Sequence, residues 1–197
     1  IIIQEVERAK LDQIAEGENH QGVIAYVSAY DYVSVKDILD KAREKNEPPF
    51  IIICDKITDP HNLGAILRTA NCVGAHGVII PKRNSVGLNS VVAKTSAGAV
   101  EYTPVAKVTN IANTIDSLKD EGLCIAAADM DGQEMYDIDL KGSLGLVIGS
   151  EGEGISRLVR EKCDFIASIP MAGEINSLNA SVAAGVLMYE ALRQRRK

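Results

Sequence analysis

The chain has 197 residues, of which 46% are hydrophobic and 24% charged, and its net charge is −6. This length suits one domain with a full core. No apolar run reaches the roughly 18 residues of a membrane span, so we expect no membrane-spanning helix in it. A net negative charge argues against a broad surface that binds nucleic acid. Any RNA partner must therefore be held by local basic patches, such as residues 81–83 and 193–197, or by a part of the protein outside this sequence.

Cysteine and histidine spacing argues against a metal site. The three histidines show no ligand spacing, and the four cysteines form no C-x-x-C pair and mostly lie in apolar runs: Cys54, Cys72, Cys124 and Cys163. We therefore expect reduced core thiols, as in a cytoplasmic protein, and no bound metal. We also expect no signal peptide.

Residues 1–20 are mixed and charged, without a clear core face, and the chain begins with Ile rather than Met. We expect this segment to be a linker or docking segment of a longer polypeptide. Beyond it, short apolar runs alternate with amphipathic stretches. The runs predict strands over 23–30, 50–55, 77–81, 103–107, 123–129, 144–149 and 164–170, and the stretches predict helices over 34–46, from 62 onward, 90–99, 109–122, 156–163 and 177–194.

Short strands that are apolar on both faces, separated by helices, predict an α/β fold with a mostly parallel sheet covered by helices on both faces. Ligands in such sheets bind beyond the carboxyl ends of the strands. Three unusual loops are expected at those ends: DKITDPHN at 55–62, GSEGEG at 149–154 and PMAGEINS at 170–177.

The first of these loops leads into the stretch NLGAILR at 62–68. Asn62 is a good N-cap residue, because its side-chain oxygen can accept from a free backbone N–H of the first turn. Gly64 leaves bare backbone near Arg68, so a ligand could approach the start of the helix beside a guanidinium. The alternative is a capped amphipathic helix with one exposed arginine.

The second loop lacks the lysine of a Walker A loop and the glycine spacing of a dinucleotide fingerprint. Its carboxylates, Glu151 and Glu153, would repel a phosphate, so the loop fits a ligand with hydroxyls or positive charge. The alternative is a tight turn with solvated acids.

In the third loop, apolar Ile169, Met171 and Leu178 flank exposed backbone and predict a slot for a flat heterocycle. Ser177 or Asn176 is expected to cap the last helix, with Asn179 just inside it. The alternative is a polar N-cap cluster without a ligand.

The last helix is apolar nearly all round from Leu178 to Leu192. A helix of this kind is buried on more than one side. In so small a domain a second protomer is a natural cover, so we expect a homodimer.

Together the three segments resemble a known family. N-x-G-x-x-x-R at 62–68, VIGSEGEGIS at 147–156 and IPMAGEINSLNASVAAG at 169–185 are similar to the three motifs of the SpoU/TrmH branch of the SPOUT RNA methyltransferases. The resemblance covers about residues 50–193 and is greatest to the RlmB-type subgroup, which methylates the 2′-oxygen of a guanosine in 23S rRNA.

The resemblance implies a C-terminal trefoil knot in the sheet, S-adenosylmethionine as methyl donor and a homodimer with its sites at the subunit interface. Gly149, Ile169, Met171 and Leu178 would contact the donor. Residues matching the catalytic positions are Asn62, Arg68, Glu151, Ser177 and Asn179. Residues 1–20 would then be the linker from a missing N-terminal RNA-binding module, and residues 21–197 the catalytic domain.

Three alternatives stay open. The close relatives that methylate tRNA share the same three motifs. A non-catalytic RNA-binding or ribosome-assembly dimer could keep the fold. A dinucleotide-binding oxidoreductase is disfavoured by the missing glycine fingerprint.

Overall fold

The computed structural model describes residues 3–25 and 30–196. The strands are β1 Phe50–Asp55, β2 Gly77–Pro81, β3 Val105–Val108, β4 Cys124–Glu134, β5 Leu144–Gly149 and β6 Phe165–Ser168. The helices are α1 Arg8–Ala15, α2 Val35–Glu44, α3 Pro60–Cys72, α4 Ser90–Thr95, α5 Ile111–Asp120, α6 Arg157–Lys162 and α7 Ala180–Arg195. Single 3₁₀ turns lie at Ala99–Glu101 and Met135–Asp137.

The six strands form one sheet in the order β3-β2-β1-β5-β4-β6, and every pair in it is parallel. The α/β prediction is therefore confirmed. Alternate residues of β1 enter two separate cores, because Ile52 and Cys54 pack with α3 and α7 while Ile51 and Ile53 pack with α2 and α5. Helices thus cover both faces, which explains why the central strands β1, β2 and β5 are buried on both sides.

The strand order reverses beside β1. From β1 the chain proceeds outward through β2 to β3, and then returns to build β4, β5 and β6 on the other side. In the register of the sheet Asp55 lies opposite Gly149, so the loops after β1 and β5 begin side by side. A crevice at such a reversal is the usual ligand site of an open α/β sheet.

Several predicted boundaries were wrong. Strand β4 runs five residues beyond the predicted end at 129, because its outer part pairs with β6 across a register shift between Ala128 and Gln133. Helix α4 ends at Thr95 instead of 99. The predicted strand at 23–30 has no strand at 23–25, and residues 26–29 lie outside the described residues. The trefoil knot stays a prediction.

Residues 1–20, expected as a linker, include α1, which buries none of its residues. Helix α7 is buried on one side only, through Ala184, Leu187, Met188 and Ala191. Its other side exposes Val182 by 50% and Tyr189 by 54%. Cover by a second protomer stays a prediction.

Within the described ranges, no helix is long and apolar enough to cross a membrane, and no group of His, Cys, Asp or Glu is placed to hold a metal ion. All four cysteines are free thiols. The expectation of core thiols holds for Cys54 alone, since Cys72 is exposed near the end of α3 and the other two are half-buried. Burial raises the pKa of the Cys54 thiol to about 12.

Candidate active site

A cleft of about 870 Å³ opens at the carboxyl ends of β4, β5 and β6. The loop after β5, the loop after β6 and the first turns of α7 form its walls. Seven of the nine residues predicted for the site line it: Gly149, Glu151, Ile169, Met171, Ser177, Leu178 and Asn179. The sequence motifs that carry these residues thus converge on one cavity.

Three polar side chains from three separate motifs meet at this cleft. The Asn62 Nδ2 donates to Glu151 Oε1 at 2.9 Å, and the Asn179 Nδ2 donates to Asn62 Oδ1 at 3.0 Å. Asn179 Nδ2 also donates to Glu151 Oε1. The carboxylate is therefore fixed by two amides, one from α3 and one from the start of α7.

Asn62 does not cap α3, contrary to the prediction. The N-cap is Asp59, whose carboxylate accepts from His61 N at 2.9 Å, and Pro60 occupies the first helical position, where its missing N–H costs nothing. Asn62 lies in the first turn and is 5% exposed. Its side chain is thus free to bond across the site instead of capping its own helix.

Asn179, predicted to lie just inside α7, is the N-cap of that helix, in place of Ser177 or Asn176. Its Oδ1 accepts from Ser181 N at 2.9 Å and from Val182 N at 3.3 Å. Its Nδ2 is left to donate to Asn62 and Glu151. One side chain therefore fixes the start of α7 and joins it to the other two motifs.

The glycine-rich loop is a tight turn, as the alternative interpretation of its sequence expected, but Glu151 is not simply a solvated acid, because it accepts from Asn62 and Asn179. Ser150 and Gly154 exchange backbone hydrogen bonds of 3.0 Å in both directions. A Cβ on Gly149 would overlap the carbonyl carbon of Gly154 and lie 2.5 Å from Ile155 N. Gly149 is therefore required by the turn, and the turn presents Glu151 to the cleft.

A buried carboxylate holds the far end of the same loop. Asp55, the last residue of β1, accepts from Ser156 N at 2.7 Å. At the turn itself, Lys56 Nζ lies 3.6 Å from Glu153 Oε2. The loop after β1 thus supports the loop after β5 at two points, as their neighbouring positions in the sheet allow.

Gly64 serves helix packing and not the approach of a ligand. A Cβ at this position would lie 2.6 Å from Thr95 Cβ and 2.9 Å from Val92 O, both in α4. The bare backbone seen in the sequence is therefore covered by α4, which crosses α3 there. The prediction that Gly64 clears space for a ligand was wrong.

Arg68 does not line the cleft. Its side chain is exposed, and among the described residues it has no hydrogen bond or ion pair. Arg68 follows Asn62 by six positions, which places the two side chains on different sides of α3 and about 9 Å apart along its axis. Arg68 is thus available to a molecule that approaches the outer surface of the protein.

One wall of the cleft had not been predicted. The outer part of β4 contributes Ala128, Asp129, Met130, Gly132 and Glu134. Arg160 of α6 holds this segment by donating to Asp129 and, at 2.9 Å, to Asp131. The place of β4 in the sheet could have indicated this wall. Because β4 is parallel to β5 and next to it, its carboxyl end lies at the same edge of the sheet as the loop that carries Glu151.

Comparison with known proteins agrees with this geometry. A family model described as the SpoU rRNA methylase family matches residues 49–189. A second model, described as RNA 2′-O ribose methyltransferase substrate binding, matches residues 1–33. The first match contains all six strands and every residue of the cleft.

Three similar proteins illustrate the relationship. YacO of Bacillus subtilis, provisionally named a TrmH family tRNA/rRNA methyltransferase, is 55% identical over 99% of this chain and 78% of its own length. The SpoU methyltransferase AviRb of Streptomyces viridochromogenes, crystallised with AdoMet, is 32% identical, with a TM-score of 0.71 over 75% of this chain and 58% of that one. The TrmH/SpoU tRNA modifying enzyme of A. aeolicus is 27% identical, with a TM-score of 0.69 over 80% and 84%.

These matches extend through the sheet, the cleft and the three converging motifs, and the principal one spans well over half of the sequence. The chain therefore belongs to the SpoU rRNA methylase family.

Proposed function

We propose that this protein transfers a methyl group from S-adenosylmethionine to a ribose 2′-oxygen of RNA, most specifically to a guanosine of 23S rRNA. The observation that carries the proposal is the cluster of Asn62, Glu151 and Asn179 beside the cleft. It joins the three family motifs at one point, where a ribose could meet a bound methyl donor.

The cleft suits S-adenosylmethionine. Its volume of about 870 Å³ lies in the range of small-ligand sites, which are mostly apolar with a few placed polar groups. Ile169, Met171 and Leu178 would hold the adenine, with Gly149 contributing backbone. The donor supplies an electrophilic methyl group carried on a sulfonium. Carboxylates of the lining, such as Glu134, match its hydroxyls and its positive charge.

The polar cluster would orient the ribose. Because both amides donate to Oε1 of Glu151, the carboxylate has one orientation and can accept a hydrogen bond from a ribose hydroxyl. Ser177 lies in the same lining and offers a further hydroxyl. Positioning of this kind supplies much of the rate of a transfer between two bound reactants.

Arg68 would stabilise charge on the RNA side. A guanidinium stays protonated in proteins, so it cannot act as a base, but its fork of donors suits a phosphate and a developing alkoxide. The 2′-proton would pass to a phosphate oxygen or to water. The exposed position of Arg68 is compatible with a contact that forms only when RNA is bound.

We further propose a homodimer that uses the outer side of α7. Val182 and Tyr189 expose apolar surface there, next to α3, against which α7 packs. Sedimentation equilibrium of the purified chain tests this state directly.

A cytoplasmic location is supported by the four free cysteines.

Residues 1–20 are proposed to connect an RNA-binding module to a catalytic domain at 21–197. The exposed character of α1 supports a connecting role. The substrate-binding model matches residues 1–33, so it supports a link to an RNA-binding unit, and it extends 13 residues beyond the proposed boundary at residue 20. The net charge of −6 agrees with an RNA grip supplied mainly by that unit.

The test is methyl transfer from isotopically labelled S-adenosylmethionine to 23S rRNA and tRNA transcripts, by the chain together with its N-terminal module. A methylated 2′-oxygen protects the neighbouring phosphodiester bond from alkali, so a labelled, alkali-resistant dinucleotide identifies both the product and the nucleotide. Faster methylation of tRNA would favour the alternative substrate, as the name of the A. aeolicus relative suggests. Donor binding without transfer to either RNA would favour a non-catalytic dimer.

Donor binding itself is measured by titration calorimetry beside Leu178→Arg. Leu178 lines the cleft, so the larger cationic side chain should block it. Binding of one donor per protomer, lost in this variant, is the expected result.

A further inference from the structure

Two unpaired cations follow β2 at the same edge of the sheet as the cleft. Lys82 and Arg83 are exposed, and among the described residues neither has a side-chain hydrogen bond or ion pair. Ile53 lies opposite Ile79, and Asp55 opposite Gly149, so the end of β2 is level with the start of the loop that carries Glu151. Two strand spacings, about 10 Å, separate β2 from β5.

The loop that carries these cations is firmly attached. Lys82 N donates to Val108 O at 2.7 Å, and Val86 N donates to Ile57 O at 2.9 Å. Leu88 N donates to the Tyr32 hydroxyl at 2.8 Å. The backbone of residues 82–88 is thus fixed to β3, to the loop after β1 and to the segment before α2. The two side chains are therefore presented from a defined support.

A third cation extends the same surface. Lys107 of β3 pairs with Ile80 of β2, and its Nζ lies 4.9 Å from the centre of the Tyr32 ring. We call Lys82, Arg83 and Lys107 the basic edge. It lies on the opposite side of β1 from the cleft.

The other side of the cleft has the opposite charge. The outer part of β4 carries Asp129, Asp131 and Glu134, and Arg160 pairs with only the first two. An RNA strand that reached the cleft over the outer part of β4 would be repelled by these carboxylates, since one arginine cannot balance three negative charges. A strand that approached over β1 and β2 would meet cations instead, although the chain as a whole is acidic.

We propose that the basic edge binds the phosphates of the RNA strand next to the target ribose. This inference rests on the proposed function and specifies the path of its substrate. The strand would run from the basic edge over the loop after β1 to the cluster of Asn62, Glu151 and Asn179. Contacts to phosphate position a nucleic acid without reading its sequence, so this surface would serve any RNA that reaches the site.

The experiment compares the affinity of the chain for a fluorescein-labelled single-stranded RNA, by anisotropy over a series of salt concentrations. Lys82→Ala/Arg83→Ala should weaken binding about tenfold, and the slope of log affinity against log salt should fall by about 1.4, since each lost phosphate contact removes about 0.7 on single strands. Both side chains are exposed, so the fold should be retained, with unchanged affinity for S-adenosylmethionine.

The matched control is Lys45→Ala/Lys141→Ala. These lysines are also exposed, but they precede β1 and β5 and so lie at the amino edge of the sheet. The control removes the same charge and should leave RNA affinity and salt slope unchanged. Equal losses in the two double variants, or no loss in either, would overturn the proposal. Because the measurement is binding and not methylation, it stands apart from the test of the proposed activity.

Discussion

The side-chain amides of Asn62 and Asn179, which are 117 residues apart in the sequence, are joined by a hydrogen bond of 3.0 Å. Both also donate to the same oxygen of Glu151. Each of the three residues comes from a different motif. The bond therefore requires that α3, the loop after β5 and the start of α7 be placed correctly together, and the site exists only in the complete fold.

Asn179→Asp separates the two functions of this residue. A carboxylate at 179 can still cap α7, but it cannot donate to Asn62 or Glu151 and it places a second negative charge beside Glu151. We expect methyl transfer to fall at least tenfold. Asn179→Ala should lose the cap as well, at about 0.5–2 kcal/mol of stability. Thermal melts and transfer rates of both variants provide the measurement.

Asn110→Ala is the control, because Asn110 caps α5 by accepting from Asn113 N at 3.1 Å, away from the cleft. It should lower stability by a similar amount and leave the transfer rate unchanged. Equal transfer rates for Asn179→Asp and the unaltered chain would show that the amide bonds are not needed for catalysis.

Gly149→Ala should abolish donor binding. The added Cβ would meet backbone of Gly154 and Ile155, which cannot yield as a flexible side chain can, so the turn that carries Glu151 must open. Gly142→Ala is the matched control, since a Cβ there meets nothing within 4 Å. Calorimetric titration with S-adenosylmethionine compares the two. Native affinity in Gly149→Ala would mean that the donor does not depend on this turn.

The sequence predicted the central strands to within a residue, because β1, β2 and β5 are apolar on both faces and end at clear loops. It did not predict the outer part of β4, where the polar run DMDGQE is held by pairing with β6 and by Arg160. These contacts join residues at least 29 positions apart, which no local pattern records.

The same limit applies to the site. Motif resemblance identified seven of the residues that line the cleft, but both predicted caps were wrong. Several neighbouring residues are good caps by local preference, so the sequence alone does not select Asp59 for α3 or Asn179 for α7. The contacts that decide the role of Asn62 are long-range. Gly64 was likewise predicted to leave open space for a ligand beside Arg68. The sequence does not show that α4 packs against the backbone of α3 at this position.

Gly64→Ala should destabilise the protein by about 1–3 kcal/mol through overpacking between α3 and α4, because Thr95 Cβ and Val92 O lie too close to the new atom. Affinity for the donor should be unchanged in the folded fraction. Gly185→Ala is the control: its Cβ would meet Thr69 Cγ2 at an ordinary 3.9 Å, so helix propensity should keep or raise stability. Chemical denaturation measures both, and a stable Gly64→Ala variant would contradict the packing explanation.

Stability should fall as the pH drops below about 6.5, the ordinary pKa of histidine. Burial lowers the pKa of His76, and the hydrogen bond to Glu47 offsets only part of this. His76 Nδ1 accepts from Phe50 N at 3.0 Å, a bond that protonation would break. Since the unfolded chain then binds more protons than the folded one, the free energy of unfolding decreases toward acid pH.

His76→Asn tests this origin, because its amide oxygen can replace Nδ1 as acceptor but cannot titrate. Its unfolding free energy should vary less with pH between about pH 5 and 7 than that of the unaltered chain. A profile of His76→Asn parallel to that of the unaltered chain would assign the acid sensitivity to other groups.

Arg68 should affect transfer without affecting donor binding or stability. It lies outside the cleft and has no partner among the described residues, so Arg68→Ala should keep both the melting temperature and the calorimetric affinity for S-adenosylmethionine. Loss of a group that stabilises developing charge typically lowers the rate about 10²–10³-fold, and we expect that loss in methyl transfer to RNA.

Arg68→Lys is the informative companion, because it retains the charge and removes the planar fork that binds a phosphate through two parallel hydrogen bonds. We expect a rate closer to that of Arg68→Ala than to that of the unaltered chain, measured with saturating donor so that only the RNA step is compared. A near-native rate in Arg68→Lys would exclude bidentate binding and reduce the role of Arg68 to that of a point charge. A weakened affinity for the donor in either variant would instead place this side chain at the cleft.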